Sequence, residues 1–322
     1  LNVIDLHLER ISSVAPIPHI LGDKINYESL RLVPHPHSWT SSAGVCNLCQ
    51  PINVYFDDNP IIQSAYESAC QLGKRLNLNL FSNKINFENK EATTSIKVKY
   101  LDSLEESSYQ ITITSDVIEV LAGDETGLFY GFISLMQLAQ TYNQLVPCGT
   151  IVDKPRFSWR GQHLDTVRHF YSVESILKLL DLMSLFKLNK FHWHGTDDEA
   201  FRFKLDDDYD IATSTSVRGE GQLVPPVFGS GPNPSGSSYD LAEIKRVIDR
   251  ASNNYIEVMP EFDLPGHNMS LVKLYPSMRD PEDQSREVSV QGYFENTLNP
   301  AMPDTTSILE KVIDDLCRVF PG

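Results

Sequence analysis

Basic residues are scarce in this chain. Its 322 residues hold 27 lysines and arginines against 43 aspartates and glutamates, a formal net charge of −16. Nucleic-acid binding needs a basic face, so the balance argues against a nucleic-acid partner. It suits an enzyme acting on a neutral or cationic substrate, and it suits a plain acidic surface equally well. Also missing is any run of about 18 apolar residues, so no membrane-spanning helix is expected. No charged segment followed by an apolar stretch opens the chain, and residue 1 is Leu. The sequence is therefore expected to start inside a longer polypeptide. Cysteine is sparse and odd in number, five in all, which is not a dense disulfide framework. Cys46 and Cys49 form the one CxxC, with His35 and His37 upstream. Without a second CxxC, and with a proline between the histidines, a local disulfide or two free thiols is expected there rather than structural zinc.

What is present sorts into three stretches. Residues 1–40 are broken by Pro16, Pro18, Pro34 and Pro36 and suggest a linker or the remnant of an N-terminal domain. Residues 41–153 suggest a small α+β domain. Ile52–Phe56 and Ile96–Leu101 alternate like strands, and Tyr109–Ile113 with Val117–Leu121 suggest a hairpin. Pro60 opens a helix. The apolar run 126–138 predicts a second, whose Gly127 and Gly131 would let it lie close on a sheet.

Residues 154–322 alternate strand and helix. Strands are expected at 159–165, 189–199 and 255–263. Between them the apolar residues Ile176, Leu179, Leu180, Met183 and Phe186, and then Leu241, Ile244, Val247, Ile248 and Ala251, recur at helical spacing. Ser172 can cap the first helix, and Asp240 with Glu243 gives the second a capping box. Asn253–Asn254 can close it in the left-handed conformation. A last helix is expected over 305–320. This is an α/β pattern with a parallel sheet. Residues 156–322 are too few for a closed (β/α)8 TIM barrel of about 250 residues. They supply the first part, about three strands.

Polar clusters fall at the C-terminal ends of all three strands, where α/β enzymes build their sites. Arg168 follows the first, Asp197 ends the second, and Asp263 with His267 follows the third. Each has a plain alternative: Arg168 a solvated turn, Asp197 a cap, Asp263 an Asx-turn before Pro265. Their recurrence at three successive strand ends favours function. His192 and His194 alternate onto one face of the second strand. With Asp197 and His267 they offer a zinc-dependent barrel hydrolase as a competing reading. Packed, hydrogen-bonded interior histidines are the expectation preferred to it.

The strings LDTVRHF (164–170), KLNKFHWHGTDDE (187–199) and EVMPEFDLPGH (257–267) resemble the family 20 glycoside hydrolases, the β-N-acetylhexosaminidases. The likeness is greatest to bacterial chitobiase-like exo-N-acetylglucosaminidases. The segment GLFYGFISLMQL matches the non-catalytic domain that precedes their barrel. The resemblance implies release of terminal β-linked N-acetylhexosamine from chitin oligosaccharides or similar glycans, without a cofactor. It implies that Arg168 binds ring hydroxyls, that Asp263 supports Arg168, and that Asp197 and His267 relay to a general-acid Glu. That Glu belongs to an HxGGDE motif, and no GGDE occurs in the 322 residues. A sugar-binding remnant without the acid is the other reading. A bacterial periplasm or envelope is the expected compartment, with the cytoplasm open.

Three parallel strands alone expose an edge of unpaired backbone groups and cover only part of a sheet. Residues 1–322 expressed by themselves are therefore expected to aggregate and to lack activity on an N-acetylglucosaminide. A soluble, cooperatively melting product that releases N-acetylglucosamine would place the acid within this sequence, with Asp198–Glu199 the first candidate.

Overall fold

The computed structural model describes residues 30–57, 59–78, 80, 92–205, 211–226, 231–284, 289, 292 and 296–320. The strand or helix expected in residues 1–20 lies outside them. The chain divides into two compact units. One comprises Leu1–Arg160 with Asp181–Leu188, the other Gly161–Leu180 with Asn189–Gly322.

Among its described residues, the first unit has a six-stranded mixed sheet. Its strands are β1 (Ser38–Asn47), β2 (Ile52–Phe56), β3 (Thr94–Tyr100), β4 (Tyr109–Ile113), β5 (Val117–Ala122) and β6 (Leu145–Asp153), in the order β1-β6-β4-β5-β3-β2. The β2–β3 and β3–β5 pairs are parallel and the rest antiparallel. Helix α1 (Pro60–Arg75) starts at the expected proline, with the Asn59 side chain accepting from the Ile61 N–H. Helix α2 (Glu125–Thr141) is capped by Asp124 and buried on nearly every side, as its apolar sequence demands. A Cβ on Gly127 would lie 2.3 Å from the Ser108 carbonyl oxygen, so only glycine allows that approach. Strands β1 and β6 were not expected. β1 begins at Ser38, inside the stretch assigned to a linker, and its residues are mostly exposed, so it carries little apolar alternation. Cys46 is buried, Cys49 is exposed and no disulfide joins them. Burial pushes the Cys46 thiol up to about 11.

A polar cluster is buried in this unit. Lys187 Nζ lies 2.6 Å from the Tyr109 hydroxyl and 3.1 Å from Asp153 Oδ2, and the Tyr109 hydroxyl donates to the same carboxylate at 2.6 Å. Lys187 takes a positive φ of 58° to reach it. Burial lowers the Lys187 ammonium below its usual pKa, against the pull of Asp153.

The second unit carries the parallel sheet. Strands β7 (Gly161–Asp165), β8 (Lys190–Asp197) and β10 (Glu257–Phe262) run parallel in the order β10-β8-β7, and the short β9 (Ala200–Phe201) folds back antiparallel on β8. Helix α3 (Val173–Leu185) connects β7 to β8. The short α4 (Ile211–Thr215) and then α5 (Leu241–Asn253) lie between β9 and β10, and α6 (Met269–Leu274) and α7 (Pro303–Val319) follow. The Asp240–Glu243 capping box forms as expected. The C-cap differs: Asn254 has φ −102° and Tyr255 takes the left-handed conformation at φ 57°. The loop expected at 217–238 is partly ordered by bridges from Arg218 to Val224 and Ser235. Along β8, Phe191 and Trp193 are fully buried on one face, where Trp193 packs edge-on against Phe203 and Tyr239. The opposite face carries the ionisable groups.

Removing the Lys187 ammonium would strand Asp153 in the interior. Lys187→Ala is expected to cost about 3–5 kcal/mol, the usual result of breaking one half of a buried pair. Urea unfolding checks this, and a loss below ~1 kcal/mol would mean that water reaches the pair.

Candidate active site

The parallel register assembles the site. Asp165, His194 and Glu261 share one row across β7, β8 and β10, and His163 and His192 share the row before it. Strict alternation would then put Thr196, not Asp197, beside His194. The strand departs from alternation at Gly195. Opposite it the β8–β10 register jumps, from His194↔Glu261 to Thr196↔Phe262. This bulge, one extra residue on β8, re-aims the side chains after it. Asp197 returns to the side of His194, and its Oδ2 lies 2.8 Å from His194 Nε2. Gly195 is required there, because a Cβ would sit 2.0 Å from the buried Phe203 ring.

Arg168 is placed by its loop. The Asp165 carboxylate accepts from the Val167 and Arg168 N–H groups, closing an Asx-turn after β7. Arg202, 1% exposed, donates to the carbonyls of Thr166, Val167, Ser216 and Ser237 and so ties this loop to its neighbours. Burial lowers its guanidinium to about 10. The Arg168 fork then meets three carboxylates: Asp197 at 2.5 Å, Asp165 at 2.9 Å and Glu199 at 3.4 Å.

His267 follows β10 in a left-handed backbone, φ 56°, unusual for a bulky residue and common at functional sites. The Asn268 side chain braces this turn by donating to the carbonyls of Asp263, Pro265 and Gly266. His267 Nδ1 lies 3.1 Å from Asp197 Oδ1. The expected Asp197–His267 contact is therefore made.

The expected Arg168–Asp263 contact is not. Arg168 is taken up by Asp165, Asp197 and Glu199, and the Asp263 side chain turns to Glu261. The Asp263 N–H donates to Thr196 Oγ1 on the second strand at 3.1 Å. Burial raises the Asp263 carboxyl above its ordinary pKa, and the neighbouring Glu261 carboxylate raises it further.

The histidines divide. His194 is 3% exposed and lies between Asp197 and Glu261. His192, expected in the interior, keeps a side chain 39% exposed and contacts Glu261 at 2.7 Å, with the His163 ring against it. Among the described residues, the histidines and carboxylates near enough to share an ion form three groups, the last two sharing Asp197: His163, His192 and Glu261; His194, Asp197 and Asp263; and Asp197, Asp198 and His267. His192, His194, Asp197 and His267 are thus not one ligand set. The shortest contacts within these groups, 2.7 and 2.8 Å, are ion-pair or hydrogen-bond separations. Two ligands on one tetrahedral zinc would sit about 3.3 Å apart. The first two groups fit paired side chains better than a metal centre; in the third, His267 lies 3.1 Å from Asp197 and 3.6 Å from Asp198.

Asp198 and Glu199 are buried at 1% and 0% exposure. Asp198 accepts from the Met269 N–H and the Ser289 hydroxyl, and Glu199 faces Arg168. Both carboxylates are thus turned to partners inside the protein. Motif reading passed over Asp165, Gly195, Glu261 and Arg202. The row of β7, β8 and β10 residues exposes the role of Glu261 only once the register is known.

Residues 157–322 match the catalytic domain of glycosyl hydrolase family 20, and residues 29–154 match domain 2 of that family. The chain belongs to glycosyl hydrolase family 20. It is 34% identical over 223 residues to a β-hexosaminidase of Vibrio furnissii, a span of 68% of this chain and 36% of that protein. It is 31% identical over 239 residues to the N,N'-diacetylchitobiase of Vibrio harveyi, 66% of this chain and 27% of the relative. Among solved structures it is similar to the family 20 exo-β-N-acetylglucosaminidase of Vibrio harveyi in complex with N-acetylglucosamine. That match has a TM-score of 0.79 at 29% identity, over 90% of this chain and 45% of the other. The chain thus spans less than half the length of these family 20 relatives.

Gly195→Ala is expected to destabilise this family 20 chain by about 2–3 kcal/mol, the cost of overpacking a filled core. Urea unfolding reads it, and unchanged stability would show that Phe203 can step aside.

Proposed function

We propose that the whole protein is an exo-β-N-acetylhexosaminidase that releases N-acetylglucosamine from the non-reducing end of chitin oligosaccharides. The observation that carries this reading is the convergence of Arg168, Asp197 and His267 from three strand ends, with Asp197 bonded to both of the others. An arginine fork suits sugar hydroxyls, and Nη2 has a second N–H beyond its Asp197 bond. An Asp–His pair suits the orienting of an acid. The chitobiase and exo-N-acetylglucosaminidase names of the Vibrio relatives support the substrate class. In this reading β7, β8 and β10 are consecutive strands of a (β/α)8 barrel whose C-terminal ends form the site.

The mechanism proposed is retaining and substrate-assisted, a named exception to the two-carboxylate scheme. The substrate's 2-acetamido oxygen attacks the anomeric carbon as the glycosidic bond breaks, giving an oxazolinium ion. A Glu of an HxGGDE segment protonates the leaving oxygen, and water then opens the ion. Arg168 holds the terminal sugar, and His267, oriented by Asp197, contacts the acid. The Asp198–Glu199 pair is not that acid, being buried and already bonded.

Because the nucleophile belongs to the substrate, the 2-acetamido group should be decisive. The whole protein should cleave an aryl N-acetyl-β-glucosaminide with retention, as followed by NMR of the first-formed anomer. The matching β-glucoside should react slower by about 10³-fold or more, since the intramolecular advantage is lost. Comparable rates on the two would contradict the mechanism.

A further inference from the structure

Asp197 has two oxygens and four neighbours. Oδ1 faces His267 Nδ1 at 3.1 Å and accepts from the Asp198 N–H at 2.6 Å. Oδ2 faces Arg168 Nη2 at 2.5 Å and His194 Nε2 at 2.8 Å. The carboxylate can aim Oδ1 at His267 only while Oδ2 is pinned. Arg168 alone is a poor pin, because its fork is divided among Asp165, Asp197 and Glu199. His194 lies nearer through Nε2 to Asp197 than to that nitrogen's other neighbour, Arg168 Nη1 at 3.2 Å. Its other nitrogen, Nδ1, lies 2.8 Å from Glu261 Oε2, close but off the line of a good hydrogen bond, an ion-pair contact.

We infer that His194 is a positioning residue of this site: gripped by Glu261 on one ring nitrogen and Asp197 on the other, it fixes how Asp197 meets His267. The inference rests on the hexosaminidase reading for its link to catalysis, while the bridge itself rests on the geometry alone. A neutral ring could satisfy one carboxylate, whereas a ring carrying both protons satisfies two. Arg168 Nη1 lies 3.2 Å from the same Nε2 and can donate only to an unprotonated nitrogen, whereas Asp197, nearer at 2.8 Å, accepts only from a protonated one, so the protonation of Nε2 decides between them.

The charge state has a pH window. Burial works against the proton on His194, but Asp197 and Glu261 outweigh it and raise the pKa from 6.5 to about 9. A raised histidine pKa means that the native ring keeps both protons until pH nears about 9, and that the stability the bridge contributes is full below about pH 6.5 and lost as pH climbs through about 9. The other groups facing this ring are Asp165 and His163 from β7, Arg168 from the following loop, His192 from β8, and Asp263 beside Glu261 after β10.

The test uses the complete polypeptide with Glu261→Gln and His194→Gln, assayed for kcat and KM against pH on an aryl N-acetyl-β-glucosaminide. Histidine-selective ¹⁵N NMR gives an independent readout. Wild type should show both His194 nitrogens protonated at pH 7. Glu261→Gln should move the alkaline limb of kcat down by about one unit, because one of the two stabilising carboxylates is gone. His194→Gln should lower kcat by roughly a hundredfold with little change in KM, the size expected of a misaimed catalytic group. A single protonated nitrogen on His194 at pH 7, or an alkaline limb unmoved in Glu261→Gln, would overturn the inference. Should His194→Gln fail to fold, Glu261→Gln still decides, because it keeps the ring. A wild-type protein inert on N-acetylglucosaminides would sink the hexosaminidase reading, while the nitrogen signals, which need no turnover, still decide the bridge.

Discussion

The second unit is organised around one buried charge, the carboxylate of Asp197. It is 1% exposed, and an ionised group so placed is tolerated only with paired charges and hydrogen bonds on every side. Arg168, His194, His267 and the Asp198 N–H supply them. These partners come from the loop after β7, from β8 itself and from the loop after β10. Satisfying one carboxylate therefore fixes three strand ends relative to one another. Glu199 and Asp165, on the same arginine, add to the demand for cations.

Two local devices make that convergence possible. The bulge at Gly195 puts Asp197 on the His194 side of the sheet, and glycine is dictated by the Phe203 ring beneath it. The buried Arg202 holds the loop that carries Arg168 by donating to four carbonyls. Neither device is one of the groups proposed to meet the sugar. Both decide where the groups that would touch it can go, which is why a site of this kind sits on rigid strand ends rather than on free loops.

Most of the fold was legible in the sequence. Period-2 alternation located β2 to β5, Pro60 marked the start of α1, an apolar run located α2, helical spacing located α3 and α5, Asp240–Glu243 marked the start of α5, and α7 falls where a last helix was expected. β1 and β6 escaped because β1 is largely exposed and β6 contains Pro147 and Gly149, which read as turn residues. The three-strand clustering also followed from motif position, and the Asp197–His267 contact from the family 20 resemblance. The partner of Arg168 did not. Residue order places Asp263 near the right strand end, but the bulge, the Asx-turn and the pull of Glu261 decide the actual pairings, and these depend on register and burial. Likewise, alternation put His192 and His194 on one face without showing that one is shielded and the other half open. That difference comes from their rows, since His194 lies beside Asp165 and Glu261 near the strand ends, and His192 one row earlier.

The account depends most on Arg168, Asp197 and His267 forming one sugar-binding mouth. A crystal structure of the complete polypeptide with a stable mimic of the oxazolinium ion tests this most directly. The account predicts Arg168 donating to ring hydroxyls of the bound sugar, His267 Nδ1 still on Asp197, and the other His267 nitrogen facing a glutamic acid from outside these 322 residues. A mimic bound elsewhere, or an Arg168 fork turned wholly to its carboxylates with no contact to the sugar, would contradict it.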